Sequence, residues 1–130
     1  YKSTYKNRNL KNWNLMNAMG RKDLHESINI FDSLIINGSS LMPIVSSLFV
    51  FYFRLLNSFV HEKPSNDYRL NKTIQSKINI YKNNYTQNEI SNIFIELRNI
   101  DIVSKSSSLD SKLLFHPFII KACKGYYESK

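Results

Sequence analysis

From Leu41 to Leu56 the chain reads LMPIVSSLFVFYFRLL, and little else in the sequence limits the fold so strongly. Read as a helix, this run to about Phe59 has one polar line, Pro43, Ser47, Arg54 and Ser58. A helix that is apolar around most of its girth must be surrounded by other helices. Ser40 stands where a cap is needed, and Pro43 falls in the first turn, where a missing N–H costs little. The most apolar part, residues 41–53, contains the Ser46-Ser47 pair, is followed at once by Arg54 and falls short of the ~20 residues that span a bilayer. The expectation is therefore a central buried helix and no membrane span. Only three glycines and three prolines interrupt the 130 residues, which favours a few long helices over many short strands.

The flanking segments supply the neighbours. WNLMNAMG (13–20) places Trp13, Met16 and Met19 on one side, and Gly20 suits the left-handed residue that ends a helix. Asp23 is an N-cap with Glu26 three residues on. Leu24, Ile28, Phe31 and Ile35 then form one face, with His25, Asn29 and Asp32 opposite, up to the Asn37-Gly38 stop. A polar loop around Pro64 is expected over 61–71, and one or two short helices over 72–85. Thr86 and Glu89 form a capping box ahead of Ile90, Ile93, Phe94, Leu97 and Ile100. Asp110 caps a last helix through Leu113, Leu114, Phe118, Ile119 and Cys123, which Pro117 should kink or shorten. Residues 1–12 carry four positive charges and no negative ones and read as a basic arm. Residues 13–130 read as one all-α domain, a bundle of five to seven helices.

Little in the chain points to catalysis. His25, His61 and His116 are scattered and show no metal spacing. There is no glycine-rich phosphate loop and no nucleophile elbow. The single cysteine, Cys123, reads as a small buried hydrophobe, so no disulfide framework is expected and a cytosolic setting is. The start is polar and basic, unlike a signal peptide, and a tyrosine at position 1 suggests a piece of a longer chain. No cofactor and no metal are expected. The charge of +8, from 18 basic and 10 acidic side chains, favours an anionic partner or a lysine-rich solvated surface.

The stretch RNIDIVSKSSSLDSKLL (98–114) is where a site would be sought. Asp101 and Lys105 stand i, i+4 with the acid first, the favourable order on a helix surface. Lys105 also complements the helix C-terminus. The serines and Asp110 then supply a turn and the next cap, so a helix hand-over accounts for the stretch.

The order of these signals resembles a family. NLMNAMGRKDLHESINIFDSLIINGSSLMPIVSSLFVFYFRLL (14–56) is similar to the start of the C-terminal helical domain of bacterial DNA polymerase III delta subunits. ELRNIDIVSKSSSLDSKLL (96–114) resembles that family's Asp-x-x-x-Lys-Ser/Thr motif, with Asp101, Lys105 and Ser106 at the matching positions. The likeness covers about residues 10–125. It departs at 66–84, where the family's Gly- and Pro-containing elements are absent. The resemblance implies a collar domain of the clamp loader, which places the sliding clamp on primed DNA. It implies packing against other loader subunits, clamp contact through N-terminal domains that lie outside this chain, DNA contact that is indirect or through phosphates, and no catalytic residue here. Arg98, Asp101, Lys105 and Ser106 are the expected interface residues. The competing reading is a stand-alone basic helical domain that binds nucleic-acid phosphates.

Overall fold

A computed structural model describes residues 10–60, 70–106 and 110–127. The described residues form seven helices and no strand: α1 (Asn12–Gly20), α2 (Leu24–Ile36), α3 (Leu41–Val60), α4 (Lys72–Ser76), α5 (Ile78–Lys82), α6 (Gln87–Ser106) and α7 (Ser111–Lys124). The all-α expectation holds. The basic arm, apart from its last residues, and the loop around Pro64 lie outside the described residues.

α3 is the hub. It packs on α1, α5 and α6, and α2 packs on α1 and α7. α3 and α6 run antiparallel: Ser104 reaches Met42, Phe49 stacks on Phe94, and Tyr52 meets Tyr85. α2 and α7 are antiparallel too, joined by Phe31–Phe115 stacking and a 2.7 Å contact between His116 Nε2 and Asp32 Oδ1. α3 has the 20-residue length and the composition of a membrane-crossing helix. Here it is a bundle helix, burying Leu41, Ile44, Val45, Leu48, Phe51, Tyr52 and Leu55. Its polar line does not mark a single outward face. Arg54 and Ser58 turn inward, while Phe53 and Val60 face solvent, so α3 is not enclosed on every side.

Several local expectations shift in phase. α2 buries Ser27, Ile30, Phe31, Ser33 and Leu34, a stripe offset from the predicted one. The small Ser27 admits α7 closely, and the Cys123 thiol donates to its hydroxyl. Burial raises the pKa of that thiol. In α7 Phe115 is buried and Leu113 exposed, and the helix continues through Pro117 without shortening. Asp110 occupies the N-cap position, but its side chain makes no capping bond. Gly125, at φ 76°, ends α7 in the left-handed conformation.

Gly20 is helical, and the left-handed residue of that turn is Lys22, at φ 57°. Gly20 serves close approach instead. A Cβ there would lie 2.5 Å from Tyr81 Cδ1 and 2.7 Å from Cγ. The Tyr81 ring has little room to move. It packs edge-on against Phe51, and its hydroxyl donates to Asn17 Oδ1 at 2.6 Å. Alanine at a helical glycine normally gains about 1 kcal/mol. Overpacking costs roughly 1–3 kcal/mol and should outweigh that gain. Gly20→Ala is expected to lose about 1 kcal/mol net in urea unfolding. A gain in stability would show that the ring is not held where it stands.

Candidate partner interface

The residues singled out by sequence all lie on the second half of α6. Lys105 Nζ is 3.3 Å from Asp101 Oδ2, the predicted i, i+4 pair. Lys105 is well exposed, so the pair contributes only a few tenths of a kcal/mol. Asp101 is the unusual member, because its Oδ1 is buried and lacks a hydrogen-bond partner among the described residues. The Ser106 hydroxyl turns back onto its own helix, shared between the carbonyls of Ile102 (3.1 Å) and Val103 (3.4 Å). Arg98 is exposed and makes no ion pair among the described residues.

Their surroundings matter more than the motif itself. Phe94, Arg98, Asp101 and Lys105 follow at spacings of four, three and four, so they share one side of α6. Phe94 closes a groove of about 280 Å³ with Phe49, Val50 and Phe53 of α3. The Phe49 and Phe94 rings stack with centroids 6.0 Å apart. Phe53 leaves 47% of its surface in solvent. Next to this stripe run Ile95 and Ile102, 60% and 55% exposed. Single exposed apolar residues are ordinary, but several over two helices make a candidate interaction surface. Sequence reading finds the polar members here and misses the apolar ones, because it encloses α3 on every side, whereas Phe53 faces solvent and Phe94 is only partly buried. The signal was present in α3, whose apolar residues outnumber those that one buried face can take up.

A second polar cluster was not foreseen. Lys22 Nζ lies 2.5 Å from Glu89 Oε2 and 4.5 Å from the centre of the Tyr85 ring. The Tyr85 hydroxyl donates to the Met19 carbonyl at 2.5 Å, so Tyr52, 2.9 Å away, must donate to Tyr85. Burial pushes the pKa of both phenols well above the ordinary tyrosine value, which keeps them neutral donors. Glu89 also accepts from the Thr86 amide while Thr86 accepts from that of Glu89, the reciprocal capping box read from sequence. Every group here has a structural partner, so this cluster ties α1, α3 and α6 together and offers no open site.

Among the described residues no three His, Cys, Asp or Glu side chains are grouped as a metal site would require. His25 bonds Asn29, His116 faces Asp32, and His61 lies outside the described residues. A wider groove lies between the start of α1 and α3, lined in part by Trp13, Met16 and Ser47, and holds no cluster of titratable groups. Compared with protein families, with curated proteins and with solved structures, the chain shows no match.

Proposed function

We propose that the chain is an assembly module, the C-terminal collar domain of a delta-type subunit of a bacterial clamp loader. The observation that carries this reading is the exposed apolar face of α3 and α6, set beside Arg98, Asp101, Lys105 and Ser106. An apolar centre with a polar rim is the composition of a subunit interface. The order of sequence motifs supplies the family. In this reading the domain works in the cytoplasm without a cofactor. It holds its subunit in the ring of loader proteins, while domains outside this chain engage the clamp and DNA.

The test is native mass of the chain mixed with the other loader subunits, at low and high salt. The expected result is a complex that survives high salt, since apolar contacts are not screened. Phe53→Asp, at an exposed position, should weaken that complex at least ~30-fold, the effect of losing one central anchor. Reversing both charges, Asp101→Lys with Lys105→Glu, should weaken it about tenfold. An unchanged complex in the charge-reversed chain removes Asp101 and Lys105 from the interface. No complex under any condition sinks the whole reading.

A further inference from the structure

The uncovered face of α3 and α6 has two unlike ends. The helices run antiparallel, and their contacts fix the levels. Phe49 stacks on Phe94 at one level, and the Ser104 hydroxyl donates to Met42 Sδ at 3.4 Å at the other. The first end is apolar, a groove lined by Phe49, Val50, Phe53 and Phe94. The second end carries charge. Arg98 stands one turn beyond Phe94 on the same side of α6, and Lys105 roughly 16 Å beyond Phe94 along the helix. Lys105 is already paired with Asp101 at 3.3 Å. Arg98 is exposed and makes no ion pair among the described residues. The exposed Ile95 and Ile102 flank it, three residues before and four after. The other acids of α6 are engaged elsewhere: Glu89 is buried against Lys22, and Glu96 acts on Tyr127 from the far side of the helix. α3 contains no acid, and residues 107–109 are Ser, Ser and Leu.

We infer that this face takes an amphipathic acidic helix of a partner protein, its apolar side chains seated between Phe53 and Phe94 and a carboxylate on Arg98. The inference rests on the assembly reading and adds to it the chemistry of the neighbour. An apolar trough between two helices is filled by a third, with anchors at i, i+3 or i+4 and i+7. Covering the Ile95–Arg98–Ile102 stripe takes the guanidinium out of water, which is costly unless a carboxylate meets it. A second copy of this chain does not meet that need. It would set another Arg98 and Lys105 on the same stripe and bring a net charge of +8 to a net charge of +8.

The probe is a fluorescent helical peptide of about 16 residues, roughly 24 Å long, with leucines at i, i+3 and i+7 and glutamates toward one end. A twin peptide carries lysines in place of the glutamates. Anisotropy with the whole chain should show the glutamate peptide binding about tenfold more tightly than its twin. Arg98→Glu should reverse that order, and Phe53→Asp should weaken both peptides. Lys121→Glu makes the same charge change at an exposed position of α7 and should leave the preference intact. Helical circular dichroism checks that each variant folds. Binding of neither peptide, or equal effects of Arg98→Glu and Lys121→Glu, would overturn the inference. In native mass with the loader subunits, Arg98→Glu should weaken the complex about tenfold. A complex weakened by Phe53→Asp and untouched by Arg98→Glu would overturn the acidic partner and leave the assembly reading standing. Absence of any such complex, beside a peptide preference that Arg98→Glu reverses, would strike the loader reading alone.

Discussion

Replacing Glu89 by alanine is expected to cost about 3–4 kcal/mol, the largest loss from any single polar side chain described here. Two contributions combine. Glu89 is 1% exposed and its partner Lys22 19%, so the pair is shielded from water. Removing one partner of such a pair leaves the other charge uncompensated, which typically costs 3–5 kcal/mol. The substitution also strips the Thr86 amide of its acceptor at the start of α6. That adds up to ~1 kcal/mol, offset in part because Lys22 can move toward water. Against a total stability of roughly 5–15 kcal/mol this is a large fraction. The melting temperature should fall by about 10–15 °C. Glu89→Gln keeps an acceptor for the amide and should lose about half as much. A cycle with Lys22→Met isolates the pair. If Glu89→Ala loses less than ~1 kcal/mol, or the cycle shows additive losses, the pair is not what joins the α1–α2 turn to α6.

Most of what could be read ahead of the structure was local. The Thr86–Glu89 box and the Asp23 cap each span three residues, and both form as read. The Asn37-Gly38 stop requires only that one residue adopt a positive φ, and Gly38 does so at 103°. The Asp101–Lys105 pair spans one turn and was equally legible. What failed needed the third dimension. α2 is apolar at 24, 28, 30, 31, 34, 35 and 36, a stripe wide enough to be centred in two ways. α7, packed on the small Ser27, selected one of them. Gly20 reads as a helix stop until Tyr81, 61 residues later, is seen to fill the space a side chain would take. Lys22 and Glu89 are 67 residues apart, and nothing in either local sequence pairs them. The candidate interface was half legible for the same reason. Its polar members lie along one turn-by-turn pattern, whereas its apolar centre is shared between α3 and α6.

Arg54→Met should have the opposite sign and raise stability by about 2 kcal/mol. The sequence placed Arg54 on an outward polar line, and the fold turns it inward. Burying a cation costs several kcal/mol unless a carboxylate and hydrogen bonds compensate. Arg54 has neither: no ion pair involves it among the described residues, and two of its nitrogens are buried and unpartnered. Methionine matches most of the stem, so the packing that buries the stem can persist. Replacing even well-paired buried charges by apolar residues is often stabilising by 1–4 kcal/mol. The gain should appear as a higher urea midpoint with an unchanged m-value. A loss above ~1 kcal/mol would mean that the guanidinium is paired in solution, since removing a satisfied charge leaves its partner exposed to the same penalty. The expected gain also separates two explanations for the residue. If Arg54 served the fold, its removal would weaken the fold. A stabilised variant would identify a charge kept against stability for a reason outside the fold, as functional sites commonly are.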